Sequence, residues 1–553
     1  MGLHPGTPFC QNKTHNYRRD DQDHQKSKIG AAKGLRVSEQ EHVPAQSRLA
    51  LVVIAVCTML ATLMQALDTT IANVALPYMQ GSMSASQDEI DWVLTSYIIA
   101  AAICTAPTGF LVERFGRTRV YVVSIVGFTI ASILCGASQN VYQIVLCRLL
   151  QGAFGAALIP LSQTVLLEMF PREKRGAAMS LWGIGVQVGP IAGPFVGGFL
   201  TENFSWRWVF YVNVPFGIIA TLGLIFFLKE TKVSRHLRVD WLGFASLSLA
   251  VGAMQLLLDR GEVMDWFNSN EIIIETVIAG VGFYIFIVQM LLAPKPFLSP
   301  RLFMDSNFVI GTFMTFLVGL NQYASLALLS PYLQNLAGDP VMLTGFLLGP
   351  RGVGMTCAML IAGQIMGKID VRLFVGMGFV IYIIAMYSFT HWTPDVSHEE
   401  IMINGVIQGL GTGFIFMPLS TVIYATLAPG LRVEAAGVFN LARNIGSALG
   451  ISITSALLDS NTQVNHEIIG SVITPFNHAL QTGAVSQFWN PTTSAGAAAL
   501  DSMITRQATI IAYSDDFKLM LVTTFLVMPL VLLLRPGKNE ITLMPEEKAN
   551  ALH

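Results

Sequence analysis

The sequence is poor in charge. Only 12% of its 553 residues are Asp, Glu, Lys or Arg and 53% are hydrophobic, where a soluble globular chain carries about 25% charged residues. That balance excludes a soluble globular protein. Cysteine is scarce and scattered: Cys10, Cys57, Cys104, Cys135, Cys147 and Cys357 form no CxxC pair and no Cys/His cluster. They read as small hydrophobes rather than disulfides or metal ligands. A basic face is also missing. The net charge of −2 is spread over short connectors, so no nucleic-acid surface is expected. The motifs of an ATP motor are absent: "GQIMGKI" (363–369) is one residue short of a phosphate loop, and no Ser or Thr follows its lysine. No HExxH or GxSxG argues for hydrolysis, so no enzyme activity, metal or cofactor is expected. If the chain does work, a gradient must drive it. Residues 1–48 are polar and have no apolar core, which excludes a signal peptide. They are expected to be a disordered cytoplasmic tail.

What the chain does have is apolar runs, each long enough for a bilayer crossing of about 20 residues. Fourteen spans are expected, at 49–76, 90–111, 120–138, 141–167, 176–200, 207–228, 240–258, 271–293, 307–333, 343–366, 372–392, 400–427, 435–458 and 516–534. An even count with a basic tail places both termini in the cytoplasm. Of the 33 Lys/Arg, Arg207, Arg260 and Arg506 then fall in outer connectors and Lys518 at an outer helix edge. Arg148, Arg351 and Arg443 lie within spans, and all the others lie inside. This is the positive-inside rule.

The chain repeats itself. "RLLQGAFGAALIPLSQTVLLEMFP" (148–171) is echoed by "GVIQGLGTGFIFMPLSTVIYATLAP" (405–429), and "GFLVERFGRTR" (109–119) more faintly by "GQIMGKIDVR" (363–372). An all-α polytopic membrane protein follows: an N-terminal six-helix half (49–228), an inserted helix pair with flanking cytoplasmic loops (229–306), a C-terminal six-helix half (307–534) and a cytoplasmic tail (535–553). Duplicated helical halves are what secondary transporters use for alternating access. Inside the second half, 459–515 is a long outer segment nearly free of Lys and Arg. It is either a docking surface or a loosely ordered loop.

Five groups of residues carry candidate chemistry. Asp68 ends the first apolar run. At about 100° per residue it shares a stripe with Thr62, Gln65, Thr69 and Asn73, and a polar stripe in a membrane helix faces a bundle interior or a wet cavity. Asp68 is either a reversibly protonated carboxyl or a structural one paired with an arginine or a backbone N–H. Arg148, in the fourth span, needs a carboxylate or carbonyl partner there; Asp68 is the natural one and backbone carbonyls are the alternative. Arg351 and Arg443 either bind an anionic substrate or are architectural. Gly185, Gly189, Gly193 and Gly197 line one face of the fifth span, where small residues let helices approach closely. Pro190 and Pro194 beside them permit bending, so this helix is a moving interface or a static tight crossing. In "GFLVERFGRTR", Gly116 allows a turn, and Glu113, Arg114, Arg117 and Arg119 can form an inner-face latch or simply anchor the loop.

"LDTTIANVALP", "GFLVERFGRTR", "CRLLQGAFGAALIP", "GVQVGPIAGPFVGG" and "WRWVFYVNVPFG" resemble, in this order, the signature segments of major-facilitator drug:proton antiporters. More narrowly the chain resembles the fourteen-helix EmrB/QacA branch. "LLLDRGEVMDWFNSNEIII" and 459–515 look most like the EmrB-type inner-membrane subunits of that branch. The resemblance covers about residues 49–535 and implies proton-driven export of hydrophobic toxic compounds across a bacterial inner membrane. It also implies two partners, a periplasmic adaptor of the membrane-fusion type and a TolC-like outer-membrane channel. It assigns proton coupling to Asp68 and Arg148, the antiporter motif to Gly189, Pro190 and Gly193, and the inner-loop motif to Gly109, Arg114, Gly116 and Arg117. The loop departs from the family at Glu113, usually Asp, and at Thr118, often basic. Two other functions stay open: a narrow exporter of one metabolite, such as a fatty acid or siderophore, and a non-transporting scaffold or sensor.

Overall fold

A computed structural model describes Gly2 and residues 48–170, 175–230, 240–294, 296–365, 369–428, 431–473, 489 and 493–535. The tails 1–48 and 535–553 therefore lie almost wholly outside the described residues. Two compact units divide the chain, Met1–Val52 and Val53–His553, and the second holds nearly all of the helical structure.

The first six-helix half opens with α1 (Arg48–Met83), α2 (Gln87–Thr105), α3 (Thr108–Phe115), α4 (Arg117–Ala137), α5 (Val141–Gly155) and α6 (Leu158–Met169). It continues with α7 (Arg175–Asn203), α8 (Trp208–Tyr211) and α9 (Asn213–Phe227). The inserted pair is α10 (Trp241–Arg260) and α11 (Asn270–Leu292), and the short α12 (Arg301–Met304) leads into the second half. That half comprises α13 (Ser306–Pro331), α14 (Val341–Ile365), α15 (Val371–Phe389), α16 (His398–Ala425), α17 (Arg432–Val472) and α18 (Ser494–Val527).

Prolines set the breaks. The second span is bent by 55° between α2 and α3, where Pro107 lacks the N–H that would continue the ladder. The fourth is broken between α5 and α6 at Ala156–Ala157, one turn before Pro160, whose missing N–H leaves the Ala156 carbonyl unmatched. Side-chain oxygens close the helix starts: Ser86 and Glu89 form a capping box on α2, Asn140 caps α5, Asp240 caps α10 and Asp305 caps α13.

Twelve spans among the described residues are long and apolar enough to cross a membrane, or thirteen with the bent α2/α3 pair. This is one short of the fourteen expected. The fifth expected place is held by α7, a continuous helix of 29 residues. The outer segment 459–515 also differs from a loop. Helix α17 runs on to Val472 and α18 begins at Ser494, so most of its described residues extend the two flanking helices. No regular period-2 pattern competes with helix in this stretch, and Asp459–Gln463 and Asp501–Thr505 bonds one turn apart hold the extensions.

The inserted pair packs between the halves. Ala102 of α2, Leu247 and Val251 of α10, Phe286 of α11 and Leu441 of α17 share one apolar cluster. Asp240 fixes its inner end, accepting from Gly243 N (2.9 Å), Gln289 Nε2 (3.0 Å) and Phe297 N (3.2 Å). At its outer end Asp259 accepts from the Thr95 hydroxyl, and Arg260 pairs with Glu271 at 3.0 Å.

Candidate functional site

The structure brings Asp68 and Arg148 together. Arg148 Nη1 lies 2.6 Å from Asp68 Oδ2, with both side chains essentially inaccessible. Helix α1 presents Asp68 to α5 because its neighbours on either side are committed elsewhere. Thr62 donates to Ser162 Oγ (2.8 Å), Gln65 accepts from Ile159 N (3.3 Å) and Thr70 donates to the Gly189 carbonyl (3.1 Å). Of the expected polar stripe, Thr62, Gln65 and Asp68 are buried, whereas Thr69 and Asn73 are exposed.

Neither charge is left to one partner. Asp68 Oδ1 accepts from Gln151 Nε2 (2.8 Å) and Asn213 Nδ2 (3.2 Å). Arg148 also donates to the Val93 carbonyl (3.0 Å) and to Gln151 Oε1 (2.9 Å). Its guanidinium sits over the Tyr97 ring at 4.3 Å and the Phe210 ring at 5.6 Å, which stabilises a desolvated cation. Ser132 Oγ accepts from both amides, Gln151 (3.2 Å) and Asn213 (3.1 Å). Helices α5 and α9 thus reach the Asp68 carboxylate directly, and α2, α4 and α8 hold the groups that bind it. Adding a proton to Asp68 would turn one of its acceptor oxygens into a donor and remove the charge that faces Arg148. Gln151 and Asn213 were not singled out from the sequence. Gln151 lies three residues after Arg148, on the same helix face, and Asn213 interrupts an apolar run just before Pro215; both are signals of the kind that Asp68 gave.

The glycine face of α7 lies on α1. A Cβ on Gly189 would collide with the Ala66 backbone, one on Gly193 with Thr70, and one on Gly197 would come within 3.1 Å of the Ile71 carbonyl. Gly185 is looser, 3.6 Å from the Met59 carbonyl. Pro190 and Pro194 fall within the continuous α7, and their side-chain surroundings lie outside the described residues.

The inner loop is latched differently from expectation. Arg117 is buried and paired with Glu168 at the end of α6. Glu230, after α9, accepts from Thr118 N (3.0 Å) and Arg119 N (3.2 Å), capping the start of α4. Thr118 Oγ1 donates to the Lys229 carbonyl (3.1 Å), so the residue that departs from the family is used. Gly116 has φ 92°, and a Cβ there would strike the Glu230 carboxylate. Glu113 makes no ion pair among the described residues, and Arg114 lies over the Phe115 ring at 5.6 Å. The latch acids are Glu168 and Glu230 because Arg117 and the N–H groups of α4 point back into the first half. Gly109 faces the second half instead: a Cβ there would lie 3.2 Å from Glu434 Cα.

Several contacts join the two halves. Trp182 stacks on Phe416 (6.0 Å, 14°), Ser180 Oγ donates to the Met359 carbonyl (2.6 Å), and Gln163 accepts from the Tyr424 hydroxyl (3.2 Å) and Asn440 (3.4 Å). Arg351 and Arg443 are not joined to Asp68. Arg351 donates to the Gln322 carbonyl (3.0 Å), and Arg443 lies over the Phe416 ring at 5.8 Å.

Two related helical halves closed against each other at one end, with a charge pair sealed in one half, define a polytopic membrane transporter. A family model for the Major Facilitator Superfamily matches residues 58–451, and the chain belongs to that superfamily. It is 34% identical over 473 residues to the multidrug export protein EmrB of Haemophilus influenzae, covering 85% of this chain and 92% of that one. It is 35% identical over 431 residues to EmrB of Escherichia coli K12, covering 77% and 84%. The fatty acid resistance protein FarB of Neisseria gonorrhoeae is 32% identical over 479 residues, covering 86% and 94%. Among solved structures, the human organic anion transporter MFSD10 (TETRAN) shares the fold with a TM-score of 0.54 at 12% identity, covering 86% of this chain and 99% of that one. A bacterial homologue of the human lysosomal transporter Spinster, inward-facing and occupied, gives 0.52 at 17% identity, covering 89% and 100%.

Proposed function

We propose that the chain is a proton-driven exporter of hydrophobic toxic compounds acting across a bacterial inner membrane, with both termini cytoplasmic. The observation that carries the proposal is the sealed Asp68–Arg148 pair with its two amide partners. Charges inside a membrane bundle are costly and mark proton or substrate paths. The similarity to multidrug export proteins over most of both chains supports export over import. The contacts at Met359, Phe416 and Gln163 support reading this conformation as closed toward the cytoplasm. A proton reaching Asp68 from outside frees Arg148, loosens α5 against α1 and favours the inward-facing form; release of that proton inside resets the pair. The α1–α7 glycine crossing is the packed joint that must slide, and the exposed Thr69 and Asn73 line the path beside it. The test is ethidium transport by everted vesicles under an imposed pH gradient. Unimpaired gradient-driven transport by Asp68→Asn would overturn the proton role.

The outer extensions of α17 and α18 are the docking surface for a periplasmic adaptor of the membrane-fusion type, and through it for a TolC-like channel. They are helical, paired with each other through His466 and Asp501 at 3.0 Å, and rise beyond the expected membrane edge. Deleting 465–505 should abolish adaptor co-purification while leaving membrane insertion intact; retained adaptor binding would place the docking site elsewhere.

A further inference from the structure

Helices α4 and α5 run antiparallel and meet in a ladder of side-chain rungs, one turn apart. On the innermost of these rungs a Cβ on Gly155 would lie 3.1 Å from the Phe128 ring. One turn nearer the connector 138–140, Ser132 Oγ accepts from Gln151 Nε2 at 3.2 Å. The next turn brings Cys135 opposite Cys147, because each step of three or four residues along α4 is matched by a turn back along α5. The two thiols are in hydrogen-bond contact, and both side chains pack in one cluster with Leu67, Ile144 and Phe210. Both are free cysteines. Their spacing in the sequence gave no reason to pair them; the register of the two helices does. Cys57, by contrast, belongs to another cluster and donates to the Ile219 carbonyl at 3.8 Å.

The two thiols differ in access. Cys135 is buried and Cys147 is half-buried. Cys147 lies at the end of the second turn of α5, deep enough to exclude another protein and open to a small oxidant. A partly accessible thiol beside a buried second thiol is the arrangement of a redox pair, in which the first is oxidised and the second resolves it. The pair also touches the ion-pair network from both of its helices. Cys135 Sγ donates to Gln151 Oε1 at 3.4 Å, and Gln151 accepts from Arg148 and donates to Asp68. Cys147 is the residue before Arg148.

We propose that Cys135 and Cys147 form a peroxide-reactive dithiol, whose oxidation to a disulfide ties α4 to α5 beside the Asp68–Arg148 pair and arrests transport. The Cys147 sulfur attacks hydrogen peroxide, the O–O bond breaks, one water leaves and Cys147 becomes a sulfenic acid. The Cys135 sulfur then displaces the sulfenic oxygen, which leaves with the Cys135 proton as a second water, and the S–S bond forms. The peroxide takes both electrons. Gln151 loses the S–H that donates to it, and α5, which must loosen against α1 in the proposed cycle, is held to α4 next to Arg148. The effect on transport rests on the export function above; the disulfide does not.

The test uses the purified full chain in proteoliposomes treated with hydrogen peroxide. Peptide mass spectrometry after the remaining thiols are alkylated should find Cys135 joined to Cys147, and dithiothreitol should separate them. In Cys135→Ser, which keeps a donor to Gln151, the reaction should stop at a Cys147 sulfenic acid that dimedone traps. Peroxide should remove most of the gradient-driven ethidium transport of the wild type, dithiothreitol should restore it, and Cys147→Ser should keep its own untreated rate. Peroxide that leaves both thiols free, or joins either to a different cysteine, would overturn the proposal. So would a disulfide that forms without slowing transport, or an equal loss of transport in Cys147→Ser. If ethidium transport is absent before peroxide is added, the export reading falls, while the peptide spectrum decides the dithiol by itself.

Discussion

Arg148 and Asp68 meet at 2.6 Å, from two helices eighty residues apart in sequence, in a position inaccessible to solvent. The pair is held from outside itself: Gln151 touches both members, and Asn213 reaches the carboxylate from α9. On the proposed mechanism, a carboxylate so placed ties α1 to α5 while it is charged. Asp68→Asn keeps the shape and removes both the charge and, on that mechanism, the proton site. Gradient-driven ethidium transport should fall to near background in this variant, while energy-independent exchange of ethidium down its own gradient persists. Vesicle assays with and without an imposed pH gradient distinguish the two.

Removing only one member of a buried ion pair leaves an uncompensated charge, at a cost of about 3–5 kcal/mol. Arg148→Gln should therefore lower the thermal unfolding temperature of the detergent-purified protein markedly. The double variant Asp68→Asn/Arg148→Gln should lose less than the two single variants added together, since no charge is then stranded. Strict additivity would mean that the two residues do not stabilise each other.

The sequence made one part of this site legible and hid another for a physical reason. Asp68 and Arg148 stand out because a charge in an apolar run is conspicuous. Gln151 and Asn213 are amides, costly in hydrocarbon yet common enough to pass unmarked, and only the fold shows that they converge. In the inner loop the residue types pointed to a latch, but its acids, Glu168 and Glu230, lie far along the chain in segments read as helix ends. The expected Glu113 makes no ion pair among the described residues. The outer segment 459–515 left two readings open, a docking surface or a loose loop, because its mixed polar and apolar composition shows no apolar face; its described residues mostly continue the two flanking helices.

The crossing of α1 and α7 depends on absent side chains. A methyl group at Gly193 would press on Thr70, and one at Gly189 on the Ala66 backbone. Gly193→Ala should cost about 1–3 kcal/mol as an overpacking change. Gly185→Ala, where the nearest atom is the Met59 carbonyl at 3.6 Å, should be tolerated. Thermal stability and ethidium transport measured on both variants test this: the two should fall together for Gly193→Ala and remain near wild type for Gly185→Ala.

Glu230 caps α4 through two backbone N–H groups, and Gly116 leaves room for its carboxylate at a left-handed φ of 92°. Gly116→Ala adds both a strained backbone and a clash, so it should impair transport more severely than Glu230→Gln, which keeps an acceptor at the cap. Equal defects in the two variants would mean that charge at the cap, rather than the geometry of the turn, holds the loop.

Closure at the inner end is a contact between halves that transport must break. Ser180 of α7 donates to the Met359 carbonyl of α14 at 2.6 Å, and Gly183 accommodates the Met359 sulfur one turn on. Both positions can carry cysteine without adding bulk to the core, since Met359 is larger than its replacement and serine is isosteric. In a background freed of the six native cysteines, Ser180→Cys with Met359→Cys should cross-link under mild oxidant and stop ethidium export. Dithiothreitol should restore it, and each single variant should be insensitive to the oxidant. Because the link fixes the closed inner end, the oxidised protein should still admit a cysteine reagent at Asn73→Cys from outside. Export that continues after complete cross-linking would show that α7 and α14 stay together throughout the cycle, and the opening would then have to occur along the α3–α17 contact at Gly109 and Glu434.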